Sequence, residues 1–284
     1  MATRYFTPLR YPGGKSKLSW LVKDLLSAND FLGGQYVEPY AGGAAVAMDL
    51  LLSGSVSHVH INDLNRGVYS FWHTLLNNTE ALMQQIYDCT VDMTTWYVQR
   101  EVIKNPENHS SLEIGFAFFF LNRTNRSGII NAGAIGGYEQ KGNYKIDARF
   151  NKHDLIDRIT AIAKAKDKIS LYNLDAELFL SEIDRRNFRD ALSYIDPPYF
   201  VKGKRLYDNF YEEGDHSRIS ELLKTLTTPW MLSYDDHPQI RRIYADHRIT
   251  EIDLVYSAAK KMKGQEVLFF SKNILIPPSI RFDE

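Results

Sequence analysis

Short apolar, β-prone runs alternate with helix-patterned stretches at both ends of this chain, and that alternation constrains the fold most. The runs are Gln35–Glu38, Val56–Asn62, Ile169–Asn173, Leu192–Ile195, Trp230–Tyr234, Ile249–Val255 and Val267–Ser271. Between them lie helical patterns at Lys15–Ser27, Ala44–Leu52, Asp154–Lys166, Ala176–Arg186, His216–Leu226 and Pro238–Ala245. Strands separated by helices of this length need crossover connections, so the expected class is α/β with a seven-stranded open sheet. The middle breaks the rhythm. From Gly67 to Asn151 the expected elements are helices at Val68–Leu76, Thr79–Tyr87, Met93–Ile103 and Leu112–Leu121, followed by a glycine-rich loop or hairpin at Ser127–Asn143. A loop that long inside a compact domain is usually functional. The expected division is therefore a catalytic domain over 1–66 and 152–284, with a mainly helical insertion over 67–151.

With 284 residues, 44% of them hydrophobic, the chain can bury one large core. Its single cysteine, Cys89, excludes an internal disulfide framework and a cysteine-rich zinc site, and none of the eight histidines has metal-ligand spacing. Met-Ala-Thr-Arg-Tyr-Phe lacks a signal-peptide stretch, and the most apolar run, Ile114–Leu121, is too short to span a bilayer. A cytoplasmic protein without membrane contact is the expectation. A net charge of −1 advertises no polyanionic partner globally. Any such partner must meet local basic clusters: Arg123/Arg126, Lys141/Lys145/Arg149/Lys152, Lys202/Lys204/Arg205 and Lys260/Lys261/Lys263. Clusters of this kind also occur as plain solvated faces.

The run Ala191–Ile195 leads directly into Asp196-Pro197-Pro198-Tyr199. Two prolines fix φ and donate no ladder hydrogen bonds, so the strand stops here and the carbonyls of Asp196 and Pro197 face whatever lies beyond the sheet. A carboxylate, a carbonyl and a ring at a strand end can hold a flat amine; the plainer alternative is a strand-ending turn with an incidental tyrosine. A second turn, Glu38-Pro39-Tyr40-Ala41-Gly42-Gly43, joins a strand to a helix, and Gly42 and Gly43 lack the side chains that would keep a ligand from the backbone. Gly pairs also end strands with no ligand nearby. The next strand closes on Asp63, positioned to accept bonds from ribose hydroxyls or to cap the following helix. Near the start, Arg10-Tyr11-Pro12-Gly13-Gly14-Lys15-Ser16 lacks the first glycine of a phosphate loop and follows no expected strand, which argues against a nucleotide triphosphatase. Its Gly-Gly-Lys is suited to closing over a carboxylate-bearing ligand.

Together, Pro12-Gly13-Gly14-Lys15, Val37-Glu38-Pro39-Tyr40-Ala41-Gly42-Gly43, Asp63 and Asp196-Pro197-Pro198-Tyr199 resemble the Dam-type DNA adenine-N6 methyltransferases, the D12 class, over essentially the full chain. Motif order agrees with the α-group: glycine turn, recognition insertion, Asp-Pro-Pro-Tyr. The resemblance implies a Rossmann-like fold, S-adenosylmethionine as methyl donor with S-adenosylhomocysteine as product, no metal, and DNA containing a target adenine as partner. It implies Asp196, Pro197, Pro198 and Tyr199 as catalytic residues. Around the cofactor it places Tyr11, Gly13, Gly14, Lys15, Glu38, Pro39, Tyr40, Gly42, Gly43, Asp63, Asp175 and Asp196. Asp175 would meet the cofactor's adenine amine; it is equally suited to capping the helix after it.

Adenine's exocyclic nitrogen is a poor nucleophile because its lone pair is delocalised into the ring. Asp196 and the Pro197 carbonyl, as acceptors for the two amine protons, would localise that pair and stabilise the charge appearing there, while Tyr199 stacks on a base flipped from the duplex. Arg123, Arg126, Asn131, Lys141, Tyr144 and Lys145 are the candidates for DNA contact, the alternative for the basic residues and Tyr144 being to stabilise the loop itself. Where relatives that read GATC carry an arginine after Asn-Gly-Leu-x, this chain has Asn131, which cannot reproduce a bidentate guanine contact, so GATC is not the expected site. Rival readings are a methyltransferase acting on RNA adenine, cytosine N4 or a glutamine side chain, and a non-catalytic cofactor- and DNA-binding subunit of a restriction or defence complex. The intact Asp196 argues against the last.

Overall fold

The computed structural model describes residues 6–10, 18–200, 211–257 and 261–280, with the backbone alone from 252 to 265. Seven strands form one sheet: β1 Gln35–Glu38, β2 His58–Asn62, β3 Ile169–Tyr172, β4 Ala191–Ile195, β5 Trp230–Asp235, β6 Arg248–Ser257 and β7 Lys261–Phe270. Their order is β3-β2-β1-β4-β5-β7-β6. Strands β1 to β5 are parallel, and β7 enters antiparallel between β5 and β6. The seven-stranded α/β expectation therefore holds. The last strand is longer than its pattern suggested, because a ten-residue ladder ties β6 to β7 well beyond the apolar stretch.

The helices are α1 Ser19–Ala28, α2 Ala45–Leu52, α3 Arg66–Asn77, α4 Thr79–Asp88, α5 Met93–Lys104, α6 Ser111–Thr124, α7 Lys152–Ala163, α8 Ala176–Arg185, α9 Glu213–Thr225 and α10 Pro238–Ile243. Alternation along the strands sorts side chains to two faces. Tyr36, Leu192, Tyr194 and Met231 enter the large core shared with α1, α2, α3 and α7. Ile195, Trp230, Leu232 and Tyr234 enter a second core with α8, α9 and α10. The result is a sheet covered on both faces, as parallel strands require.

The helices of the middle segment share the large core with the sheet. Phe71 and Phe119 stack at 5.7 Å, and Gly115 lets α6 lie against α3 where any Cβ would stand 2.6 Å from the Ser70 carbonyl oxygen. Helix α6 is buried from Ile114 to Thr124, its N-terminus closed by a capping box between Ser110 and Glu113. Residues 125–150 then form a loop, with one isolated antiparallel bridge, Asn125 to Ala134, in place of a hairpin. Side chains build its interior. The Gln140 amide donates to the carbonyls of Ile135 and Gly137 at 2.8 and 2.7 Å and accepts from the Ile146 N–H at 2.8 Å. Asn125 donates to Ile129 and Ile130 and accepts from the Trp96 indole at 2.6 Å.

Candidate active site

Strand order, not strand direction, reverses between the parallel neighbours β1 and β4. From β1 the sheet grows through β2 and β3 to one side, and from β4 through β5 to the other, so a crevice opens beyond the carboxyl ends of these strands. The motifs converge there. Glu38 ends β1, Asp63 follows β2, Asp175 lies three residues past β3, and Asp196 follows β4. Four neighbouring strands thus each deliver an acid to one edge, a set of hydrogen-bond acceptors suited to a ligand carrying hydroxyl and amine groups.

At the glycine turn, Gly42 and Ala44 both adopt left-handed backbone, with φ of 46° and 44°. Gly42 meets that demand freely, whereas Ala44 stands there as the N-cap of α2 without a side-chain cap. Glu38 supplies the missing acceptor: its Oε1 takes the Ala47 N–H at 3.1 Å and the Tyr36 hydroxyl at 3.0 Å. Only 5% of Glu38 is exposed, and this burial, reinforced by the nearby Asp196 charge, raises its pKa from 4.5 to about 8 against those two bonds.

Asp63 accepts the Gly42 N–H at 2.8 Å and the Asn65 N–H at 2.9 Å, one on each oxygen. It does not cap α3; Asn65 does, taking the N–H groups of Gly67 and Val68. Burial raises the Asp63 pKa to about 6 against the two backbone bonds. Asp175 is the N-cap of α8, accepting from Glu177 N–H at 2.9 Å, so its capping role is realised. Pro39 and Asp63 are brought into register by Asn62, unflagged by its sequence position. Its amide donates to the carbonyls of Pro39 and Leu174 and accepts the Leu174 N–H, all at 2.9 to 3.0 Å, stitching the ends of three strands. Tyr40 reaches across to Tyr211, hydroxyl to hydroxyl at 2.7 Å.

The tetrapeptide after β4 is held from the side by β5 and β7. Ser233 donates to Asp196 Oδ1 at 2.8 Å, Asp235 Oδ1 accepts the Phe200 N–H at 3.2 Å, and Tyr199 donates to Glu266 Oε1 at 2.9 Å. Tyr199 is 8% exposed and Glu266 1%. None of these three partners was foreseeable from its own strand; the signal, visible only once β4-β5-β7 adjacency is known, is a polar residue beside each of Asp196, Tyr199 and Phe200.

The N-terminal segment ties the glycine turn to α6 and the loop after it. Thr7 donates its hydroxyl to the Gly43 carbonyl. Asn122 pairs with the backbone of Arg10 in both directions, at 2.7 and 2.6 Å, and also donates to the Gly128 carbonyl. Gly128, at φ 76°, sits where a Cβ would fall 2.3 Å from the Arg10 carbonyl oxygen, so both its backbone angle and its surroundings exclude a side chain. Tyr11, Gly13, Gly14 and Lys15, expected near the cofactor, lie outside the described residues, as do Lys202, Lys204, Arg205 and Lys260.

The DNA-contact candidates separate. Arg123 is 9% exposed and donates to the carbonyls of Arg149 and Pro8, so it braces the loop from inside and corrects the expectation of a surface contact. Burial, with Arg10, Arg158 and Arg149 nearby, lowers its pKa to about 9. Arg126, Asn131, Lys141, Tyr144 and Lys145 are exposed on the loop. Lys141 pairs with Glu139, and Lys145 donates to the Gln140 carbonyl. Among the described residues no group of His, Cys, Asp or Glu is arranged to hold a metal ion, and no helix is long and apolar enough to cross a membrane.

The chain is similar in sequence and in fold to known proteins. The Type II methyltransferase M.MjaIII of Methanocaldococcus jannaschii is 22% identical over 238 residues, covering 77% of this chain and 79% of its own. Among solved structures, PH1948 from Pyrococcus horikoshii covers 93% of this chain and 86% of its own at 11% identity and a TM-score of 0.44. The rRNA methyltransferase AviRa from Streptomyces viridochromogenes covers 92% and 86% at 13% identity and a TM-score of 0.38. The model of the D12 class N6 adenine-specific DNA methyltransferases matches residues 11–258. With its motifs converging on one crevice and that match spanning nearly the whole chain, the protein belongs to the D12 class and is an enzyme that methylates N6 of adenine in DNA.

Proposed function

We propose that the crevice binds S-adenosylmethionine between the glycine turn and the four strand-end acids, and that Asp196 and the Pro197 carbonyl receive the amine of a flipped adenine. The observation that carries this is the row of Glu38, Asp63, Asp175 and Asp196 on four adjacent strand ends. When bound, the cofactor supplies an electrophilic methyl group on a sulfonium. Asp63 and Asp175 retain acceptor capacity beyond their backbone bonds for ribose hydroxyls and the adenine amine, since a carboxylate has about four lone-pair sites. Glu38, Pro39, Tyr40, Gly42 and Gly43 line the turn, with Tyr11, Gly13, Gly14 and Lys15 assigned by resemblance. The Asp196 carboxylate and the Pro197 carbonyl accept hydrogen bonds from the two amine N–H groups and hold the nitrogen pair in line with the methyl, one amine proton being released as the new N–C bond replaces the S–C bond; Pro198 keeps the turn rigid and Tyr199 presents its ring. The product is S-adenosylhomocysteine, and no step requires a metal.

In this reading residues 67–151 provide target recognition and 1–66 with 152–284 the catalytic domain. Arg126, Asn131, Lys141, Tyr144 and Lys145 form the DNA face, the lysines on phosphates. Likeness to a Type II methyltransferase is consistent with a restriction-modification setting. The test is transfer of labelled methyl from S-adenosylmethionine to matched duplex DNA, single-stranded DNA, RNA and protein, with the product base identified. N6-methyladenine in DNA, lost in Asp196→Ala, supports the assignment; cofactor binding with transfer to none of them refutes it.

A further inference from the structure

Three hydroxyl and carboxyl groups on the face of the sheet that carries Glu38 form a directed chain. Tyr194 and Asp196 are two residues apart on and just past β4, and so lie on one face. The β4-β5 register, with Ile195 opposite Leu232, sets Ser233 beside Asp196. Ser233 Oγ lies 2.8 Å from Asp196 Oδ1 and 2.9 Å from the Tyr194 hydroxyl. Ser233 is wholly buried and Tyr194 3% exposed, so bulk water does not take their place.

A serine hydroxyl has one proton. With that proton given to the Asp196 carboxylate, Ser233 accepts from Tyr194, and the order runs Tyr194 O–H to Ser233 O–H to Asp196. Each donor in such a chain strengthens the next, and buried in low dielectric it fixes the carboxylate's rotation. We propose that Ser233 is a positioning residue for methyl transfer, with Tyr194 as its polarising donor: together they hold one oxygen of Asp196 so that its carboxylate is presented at a fixed angle to the amine. Neither residue is placed against substrate or cofactor; both act through Asp196. The proposal rests on the assignment of Asp196 as the amine acceptor.

The test is steady-state methylation by wild type, Ser233→Ala, Ser233→Thr, Tyr194→Phe and the Ser233→Ala/Tyr194→Phe double variant, with cofactor and DNA affinities measured separately. Ser233→Ala is expected to lower kcat by about 10- to 100-fold, the scale of a slight misplacement of a reacting group, while KM for the cofactor and Kd for DNA stay within about twofold. Ser233→Thr, which keeps the hydroxyl, recovers most of kcat. Tyr194→Phe lowers kcat less, and costs nothing further in the Ser233→Ala background, because the chain it feeds is already cut. An unchanged kcat in Ser233→Ala, a fall matched by lost cofactor or DNA binding, or a Tyr194→Phe effect equal in both backgrounds overturns the proposal. If Ser233→Ala melts much below wild type, Ser233→Thr and Tyr194→Phe decide by the same kcat and KM split. Absence of transfer by the wild type would remove the amine-acceptor assignment itself, an outcome distinct from a wild type that transfers and an indifferent Ser233.

Discussion

Replacing Glu38 by glutamine should make the apo protein more stable in a strongly pH-dependent way. Both bonds to Glu38 converge on Oε1, which the amide oxygen of glutamine reproduces, so the substitution removes the ionisation and keeps the acceptor. In the folded protein the carboxyl ionises at about 8 where an unburied glutamate does so at 4.5. The folded state therefore binds a proton that the unfolded state has released. Stability from this group is complete below pH 4.5 and is lost as pH rises through 8, at about 1.4 kcal/mol per pH unit, a total of about 5 kcal/mol. Glutamine does not titrate. Relative to wild type, Glu38→Gln should gain about 2 to 3 kcal/mol between pH 5 and pH 7, and level off above pH 8. Urea unfolding of both proteins at pH 5, 6, 7, 8 and 9 measures this as a difference in midpoint that widens with pH. Asp63, which also titrates in this range with its pKa near 6, is present in both proteins and cancels in the difference. A midpoint difference that stays flat from pH 5 to pH 8 would refute the burial argument, since it would mean Glu38 ionises alike folded and unfolded.

Asn62→Ala removes three buried bonds that stitch β1, β2 and the turn after β3, and should destabilise by about 2 to 4 kcal/mol in urea while weakening cofactor binding measured by calorimetry; full retention of both would contradict the stitching role. Arg126→Ala should leave thermal melting unchanged and reduce the salt slope of DNA binding by about one, whereas Arg123→Met should leave that slope as in wild type because its guanidinium is turned inward. Equal slopes for Arg126→Ala and wild type would remove Arg126 from the phosphate-contacting face.

Much of the fold was legible because strands and helices differ in the period of their apolar residues. Gln35–Glu38 was placed to the residue, and α4 and α8 to within one, since each pattern is local and bounded by turn chemistry. The convergence of Glu38, Asp63, Asp175 and Asp196 was legible for a related reason: each follows a strand in a parallel sheet, so all four arrive at the same edge. Asp63 shows the limit. Its position after β2 was readable, and its bond from the Asn65 N–H is local, but its bond from the Gly42 N–H depends on how a turn 21 residues away folds back. Arg123 shows another. Residues on a helix end followed by more basic sequence look exposed, and only the packing of α6 inside the large core turned its guanidinium toward the carbonyls of Pro8 and Arg149.

By itself the sequence determined the element order, the α/β class and the motifs at the strand ends, because periodicity, glycine turns and paired prolines act within a few residues of themselves. Only the tertiary structure decided which strands lie side by side. A period-two pattern is the same for either direction and any neighbour, so the insertion of β7 between β5 and β6 was invisible until the chain closed. The adjacency of β4, β5 and β7 brings Ser233, Asp235 and Glu266 against Asp196, Phe200 and Tyr199, and so the tetrapeptide and the residue after it are held in place by residues 35 to 67 positions away.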